Sequence, residues 1–558
     1  MAEDARAALA RWESSRPANY YEANPNLRAA LRRHLGDGLT AVEWRLRDFG
    51  AAVADVVDPA VARLEARRDV PALSSFADVA FDPAYGVAGR AVWGSGVLAL
   101  PERPGAAFEQ AALLYLLVHA GEGGHACPVV CTAGLIRALR RHGDGELQER
   151  FLPPLLDADY DACERGAQFV TELQGGSDVG ANRVEALPDG DGRWRISGEK
   201  WFCSVADADQ FVVTARPRGA PTGTAGIGCF LVPRRLPTGA VNSFRVLRLK
   251  DKLGTRALAT GEIEFDGALA YQIGALEDGF RIAAGVVLNT SRWLNAAGTT
   301  GLMRRAYLEA SSFSRFRTAF GRSLLEFPLV RENLAVMKTE EQASLASMLE
   351  LTALVDRLDT DTADDADRAW HRVLVNANKV VSSLAATRVV RRGIEALGGN
   401  GTIEDFSPLP RLYRDAIVFE SWEGTHNVLC EQVLRDLGRL AALDIALERI
   451  RALLPPHDES AGVEAALREL EPRIRRSLAD GRHGSLHFRR QLNVLVRAAQ
   501  GAALLAEAAA QTDEDTAVEK EAVAALHIRR HLVRDDDPET DPDYPELLDR
   551  ALGRDGVA

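Results

Sequence analysis

Phe169-Val170-Thr171-Glu172-Leu173-Gln174-Gly175-Gly176-Ser177-Asp178 opens the part of the chain where the hydrophobic period changes from that of a helix to that of a strand. From about Ala167, short runs rich in β-branched and aromatic residues follow one another. They are Phe169-Val170-Thr171, Trp194-Arg195-Ile196-Ser197, Phe211-Val212-Val213-Thr214, Ile227 to Val232, Phe244 to Leu249 and Glu262-Ile263-Glu264-Phe265. Gly, Pro and Asp separate them, a pattern that predicts a β domain of roughly a hundred residues.

On its N-terminal side the chain reads as helix. Ala41 to Leu64 and Phe108 to Val118 carry apolar residues at i, i+3, i+4 spacing, and Asp58-Pro59 predicts a break or restart in the first of them. Thr132 to Arg141 and Leu147 to Leu156 predict two shorter helices around the turn His142-Gly143-Asp144-Gly145. On the C-terminal side helix returns at Asp278, as Phe280 to Phe316, Leu329 to Arg357 and Asp365 to Leu397, and the segment 441–558 is again helical with an acidic end. The expected class is α+β, with a helical domain at 1–165, a β domain at 166–275, a helical bundle at 276–440 and an additional helical domain at 441–558.

A chain of 558 residues is too long for one compact core, and 46% apolar with 26% charged residues is ordinary for a soluble protein. No run of eighteen uncharged apolar residues occurs, and Met1-Ala2-Glu3-Asp4-Ala5-Arg6 lacks the order of a secretory signal, so a cytoplasmic protein without membrane association is expected. The six cysteines are too scattered for a disulfide scaffold. Cys127 and Cys131 have no second Cys/His pair nearby at zinc-site spacing and read as helix-packing thiols, so no metal is expected. A net charge of −13 argues against a surface that attracts phosphate backbones as a whole.

Chemistry is expected in Arg411-Leu412-Tyr413-Arg414-Asp415-Ala416-Ile417-Val418-Phe419-Glu420-Ser421-Trp422-Glu423-Gly424-Thr425-His426-Asn427, where a charged cluster passes into an apolar run that stops at a carboxylate. Upstream, Gly398-Gly399-Asn400-Gly401 is backbone able to approach a ligand closely. Arg317, three residues before Phe320-Gly321, predicts a guanidinium and an aromatic ring on one face at a helix end, suited to a diphosphate. Singly, each feature also has a structural reading: Gly175-Gly176-Ser177-Asp178 as a turn, Trp201-Phe202 as core, Arg317 as a surface cation.

Taken together these blocks resemble the acyl-CoA dehydrogenase family, from about Gly134 to Leu434. They are the loop Thr171 to Asp178, Gly198 to Ser204, Lys252-Leu253-Gly254-Thr255-Arg256, Arg317 to Gly321, the Gly398 block, Arg414-Asp415 and Glu423-Gly424-Thr425. The resemblance implies noncovalent FAD, with Val170, Thr171, Gly176 and Ser177 at the flavin and pyrophosphate and Phe202 and Ser204 against the isoalloxazine. It assigns Arg317, Phe320 and Leu324 to the diphosphate and adenine of a flavin shared with a neighbouring subunit, and Glu395 to Gly399, with Gly398, to its adenosine part. Thr425 and Asn427 close the site. A site between protomers implies a homo-oligomer, in this family usually a homotetramer. The implied reaction is α,β-dehydrogenation of an acyl-CoA thioester, with Glu423 as base and hydride transfer to flavin N5. Reduced flavin would pass its electrons to an acceptor such as an electron-transfer flavoprotein. In the isovaleryl-type branch the base precedes Arg292, where this chain has Ser291. Burial against Phe419 and Trp422 predicts a raised pKa for Glu423.

The chain departs from the usual pattern at Pro328, Glu395 and Asn427, each where Gln is common, and at Thr260-Gly261, where many members have Thr-Arg. With Trp422-Glu423-Gly424, Cys127-Pro128 and the additional C-terminal segment, these departures are similar to the AidB-like branch. That branch is flavin-bound, associated with DNA and the alkylation-damage response, and has little dehydrogenase activity, which is the alternative to a working dehydrogenase. Residues 441–558 carry 16 Lys and Arg against 23 Asp and Glu, which disfavours DNA overall. Arg468, Arg473, Arg475, Arg476, Arg482, Arg489, Arg490 and Arg497 face three acids in their own stretch, and Arg473 with Arg476 and Arg490 with Arg497 have the spacing of a shared helix face.

Overall fold

The computed structural model describes residues 5–556 apart from 440, 482, 534–537 and 539. The N-terminal helices are α1 (Ala5–Ser14), α2 (Pro25–Leu35), α3 (Gly38–Ala52), α4 (Asp58–Ala66), α5 (Pro83–Gly94), α6 (Ala106–Leu117), α7 (Ala126–His142) and α8 (Gly145–Leu155). At Asp58-Pro59 the helix restarts, as the sequence suggests. A π-helical turn, Val53–Val57, leads into α4, and Pro59 falls in the first turn of α4, where no N–H is required of it.

Two short strands, β1 (Ala72–Leu73) and β2 (Val79–Ala80), pair with each other ahead of the β domain. The domain itself consists of β3 (Gly166–Phe169), β4 (Glu185–Pro188), β5 (Arg193–Ser204), β6 (Gln210–Pro217), β7 (Gly228–Pro233), β8 (Phe244–Leu249) and β9 (Thr260–Gln272). Their order is β3-β6-β4-β5-β9-β7, with β8 on β9; β7 also pairs with β6, which closes the sheet into a barrel. The fully apolar stretches in β6 and β7 follow from burial on both faces. Phe211, Val213, Phe230 and Val232 fill the barrel, whereas Val212, Cys229 and Leu231 enter the core formed with the helices.

The loop after β3 is held by a buried ion pair. Glu172 accepts from Lys200 Nζ at 2.8 Å and from the backbone N–H groups of Arg183 (2.6 Å) and Val184 (3.2 Å). Lys200 also donates to Val170 O at 3.3 Å and Thr214 Oγ1 at 3.2 Å. Burial alone would raise the Glu172 pKa, but Lys200 and the N–H donors outweigh it and hold the carboxyl below its usual range.

After α9 (Gly279–Ile282), a π-helical segment, Ala283–Leu288, precedes α10 (Asn289–Phe316). Then come β10 (Thr318–Ala319), β11 (Arg322–Ser323), α11 (Pro328–Asp359), α12 (Asp365–Leu397), α13 (Leu409–Ser421) and α14 (His426–Arg439). Arg317 and Phe320 are not on a shared helix face as expected. The helix ends at Phe316, Arg317 is extended, and Phe320, at φ +51°, sits in the tight turn of the β10–β11 hairpin.

The C-terminal helices α15 (Ala442–Ala452), α16 (Ser460–Ala479), α17 (Gly484–Ala509), α18 (Glu514–Leu532) and α19 (Tyr544–Leu552) complete the chain, and α17 to α19 pack against α11. The expected pairing of Arg490 with Arg497 on one exposed face does not form. Arg497 is 2% exposed and donates to Glu340 Oε2 at 2.7 Å, because its side of α17 faces the bundle. Arg475 is ion-paired with Glu471 and Asp444, and Arg482 lies outside the described residues. Among the described residues no helix is long and apolar enough to cross a membrane.

Lys200→Met is expected to destabilise the protein by roughly 3–5 kcal/mol, since it leaves Glu172 buried without its cation. Urea unfolding with and without Glu172→Gln measures this, and the double variant should recover part of the loss.

Candidate active site

Helix α13 carries Glu423 into its position. Trp422 is extended, Glu423 has φ +58° and Gly424 φ +103°, so the carboxylate stands on a turn that a residue with a side chain adopts only under constraint. Two buried cations supply the constraint. Arg292 Nε donates to Glu423 O at 3.0 Å, and Lys379 Nζ donates to Glu420 O at 2.7 Å and Gly424 O at 3.0 Å. Arg292 is itself held by Asn289 Oδ1 at 3.0 Å and Asn376 Oδ1 at 2.9 Å.

The carboxylate accepts a hydrogen bond from Gln168 Nε2 on β3 at 2.9 Å. Gln168 in turn bonds Ser291 Oγ at 3.1 Å. Burial pushes Glu423 up to about 7, against the opposing pull of Arg292, Lys379 and the Gln168 hydrogen bond. Burial likewise lowers Lys379 to about 7 and Arg292 to about 10. Although Glu423 is enclosed by protein, part of its surface opens onto a narrow apolar cavity between α6, α7, α10 and α13. Val118, Val130, Leu294, Phe419 and Trp422 are among its walls, and its free space is only about 10 Å³. Gly298 is required there, since a Cβ would lie 2.9 Å from Phe419.

Strand β5 has an open face. Strand alternation buries Cys203 and turns Phe202, 53% exposed, and Ser204 outward. Ser204 Oγ lies 3.1 Å from Thr260 Oγ1, which accepts from Lys252 Nζ at 3.0 Å. Thr171 O accepts from Trp201 N at 2.9 Å, fixing Val170 and Thr171 against β5, and a Cβ at Gly176 would lie 2.5 Å from Thr171 Oγ1. Ser177 is exposed in the same loop, and Thr425 and Asn427 are exposed where α14 begins.

The remaining expected site residues are elsewhere. Arg317 and Leu324 are joined by Leu324 N donating to Arg317 O at 2.8 Å, Phe320 is 96% exposed, and Glu395, Gly398 and Gly399 end α12 with open space around both glycines. Arg292 and Arg317 are separated by most of α10, about 38 Å at 1.5 Å per residue, so one chain does not bring the two groups together. Sequence reasoning missed Gln168 and Lys379, which lie within strand or helix patterns and carry no motif.

Three family models match successive parts of the chain: the AidB N-terminal domain of the adaptive response protein over residues 12–162, the acyl-CoA dehydrogenase middle domain over 167–268, and the acyl-CoA dehydrogenase C-terminal domain over 277–438. AidB of Escherichia coli K12 is 34% identical over 412 residues, 72% of this chain and 73% of that protein. Acyl-CoA dehydrogenase family member 11 of Caenorhabditis elegans is 33% identical over 62% of this chain, which spans 58% of that relative's length. The crystal structure of Caenorhabditis elegans ACDH-11 in complex with C11-CoA superposes with a TM-score of 0.85 at 27% identity, covering 92% of this chain and 91% of the other.

A carboxyl that is easier to protonate in the folded chain than in the unfolded one weakens the fold as pH rises from about 4.5 to about 7. Glu423→Gln is therefore expected to stabilise the protein at pH 8 by roughly 2 kcal/mol, discounted for the side open to the cavity, and to leave it little changed at pH 4.5. Thermal unfolding at both pH values checks this; an equal shift at both would mean that Glu423 is not perturbed.

Proposed function

The chain belongs to the acyl-CoA dehydrogenase family, in its AidB-like branch, and from that premise we propose that it is an FAD-dependent oxidoreductase performing α,β-dehydrogenation of an acyl-CoA thioester with Glu423 as the base. The observation that carries this reading is the Glu423 carboxylate itself: pinned on a constrained turn, facing an apolar cavity, with a pKa of about 7. A thioester α-proton is weakly acidic, and a base works best when its pKa lies near the working pH. Gln168 orients the carboxylate from the barrel side, and Arg292 and Lys379 hold the turn by its carbonyls. The apolar walls exclude water from the carbon being deprotonated.

The residues fit a bound flavin. Phe202 is a large apolar side chain exposed at 53% on the open face of β5, a surface that an aromatic ring system would cover, and Leu173 and Leu253 are exposed at 66% and 53% in the loops after β3 and β8. Phe202, Ser204, Thr171 and Ser177 would hold FAD there, and the bound flavin would supply the acceptor for the β-hydride. Arg317, Phe320, Leu324, Glu395, Gly398 and Gly399 would reach it from a second copy, because in one chain they lie at the far end of α10. This separation supports a homo-oligomer, for which a tetramer is the proposed form. The acyl-CoA complex of the nematode neighbour supports a thioester as substrate, and an electron-transfer flavoprotein is the proposed electron acceptor. The alternative, a DNA-associated flavoprotein with little dehydrogenase activity, is not favoured by charge: Arg497 is buried and Arg475 is ion-paired.

The test is anaerobic bleaching of the oxidised-flavin absorbance by a panel of acyl-CoAs. The rate is expected to rise with pH through about 7, as Glu423 loses its proton, and to fall by about 10²–10⁴-fold in Glu423→Gln. Bound FAD that no thioester bleaches would overturn the reading.

A further inference from the structure

Strands β5 and β9 set Ser204 opposite Thr260 as a cross-strand pair, with Oγ and Oγ1 3.1 Å apart. Behind the pair, in the β8–β9 connection, Lys252 Nζ donates to Thr255 Oγ1 at 3.0 Å, Leu258 O at 2.8 Å and Thr260 Oγ1 at 3.0 Å. An ammonium has three protons and no lone pair, so three acceptors use it up. Burial lowers Lys252 to about 8 against the opposing pull of Glu122, Cys127, Asp415 and Glu65, which leaves it charged at pH 7. The connection is itself anchored on α13, where Asp415 Oδ1 accepts from Thr255 N at 2.6 Å.

The direction of these hydrogen bonds is fixed. Thr260 is buried, its oxygen receives a proton from Lys252, and its own O–H has one acceptor within reach among the described residues, Ser204 Oγ. Were Ser204 to donate instead, the Thr260 proton would be buried and unmet, with the desolvation cost that such a donor carries. Ser204 Oγ therefore accepts, and its own O–H, for which no described residue offers an acceptor, is left to donate outward on the face it shares with Phe202. We infer that Lys252 is a positioning residue for the flavin: through Thr260 it fixes Ser204 as a hydrogen-bond donor to an acceptor atom of an isoalloxazine laid on the open face of β5. The inference rests on the FAD reading above and extends it to a residue two hydrogen bonds behind that face. Each link strengthens the next, since a hydroxyl that accepts from a cation is the better donor. Without Lys252, Thr260 Oγ1 is an acceptor open to Ser204, and the Ser204 proton turns inward.

The experiment follows release of FAD from the holoprotein on dilution at pH 7, read by flavin fluorescence as a Kd, together with the Raman spectrum of the bound isoalloxazine. Lys252→Met, Thr260→Val and Ser204→Ala are each expected to weaken FAD binding by about fivefold to tenfold and to shift the hydrogen-bond-sensitive ring bands in the same direction. Thr260→Ser, which keeps the hydroxyl, is expected to retain both the affinity and the bands. Lys252→Met or Thr260→Val added to Ser204→Ala is expected to weaken binding no further, because all three act on one bond. Thermal unfolding reports whether each variant is folded, and Thr260→Val, which leaves the ammonium in place, carries the test where Lys252→Met does not fold. If Ser204→Ala changes neither affinity nor bands, if Thr260→Val behaves as the unaltered protein, or if the losses add, Ser204 is not held as a donor by Lys252 and the inference fails while the FAD reading stands. A protein that holds no FAD overturns both.

Discussion

The Asp415 carboxylate joins three parts of the molecule. It lies on α13, accepts from Glu122 N at 2.9 Å in the N-terminal part, and accepts from Thr255 N at 2.6 Å in the β8–β9 connection. The approach is so close that a Cβ at Gly254 would overlap Arg414 O, and one at Gly121, where φ is +94°, would lie 2.9 Å from Asp415 Oδ2. Around it, Arg414 pairs with Glu65 at 3.0 Å and Arg411 pairs with Asp58 while donating to Ala120 O at 3.1 Å. Burial and the nearby Glu65 raise Asp415 to about 7, with the two N–H donors opposing. These contacts fix α13 in register, and Glu423 follows two residues after its end at Ser421. The position of Glu423 therefore depends on contacts made earlier in α13.

At Glu423 the geometry decides which of two opposed electrostatic effects prevails. Arg292 and Lys379 are close enough to favour the charged carboxylate, and a guanidinium forked onto it would hold its pKa low. Instead Arg292 donates to Glu423 O and to two asparagine oxygens, and Lys379 donates to two carbonyls. Their hydrogen bonds are thus committed to the backbone, and desolvation outweighs what remains of their attraction. The same arrangement stabilises the positive φ values at Glu423 and Gly424. One pair of cations both shapes the turn and leaves its carboxyl near neutrality.

The barrel was legible because its strands are short runs of β-branched and aromatic residues and its turns carry Gly, Pro and Asp, and the helical blocks because their apolar residues recur at helical spacing. Glu423 was legible through the motifs around it. Gln168 was not: it reaches Glu423 across 255 residues, and a polar residue on a half-buried strand has many ordinary readings. Lys379 is a single polar residue in a long helix, meaningful only through what the tertiary packing places opposite it. The Arg317–Phe320 spacing was misread because a helical period was carried past Phe316, and backbone that turns through positive φ at Phe320 does not keep that period.

The additional C-terminal helices explain an otherwise odd feature of α11. Met337-Lys338-Thr339-Glu340-Glu341-Gln342 is largely polar, yet all six residues are buried. Their partners come largely from the C-terminal segment. Glu340 pairs with Arg497 at 2.7 Å and His531 at 2.6 Å, Lys338 with Glu519 at 2.8 Å and Asp555 at 3.2 Å, and Gln342 Oε1 accepts from Lys520 at 3.2 Å. Burial would raise Glu340, but Arg497 and His531 prevail and hold it well below the usual carboxylate range. Charges buried in this way are costly when one partner leaves and specific when both are present. The C-terminal segment is accordingly bound to α11 as part of the bundle. Arg497 is bound with it, in the ion-paired seam rather than on an exposed face.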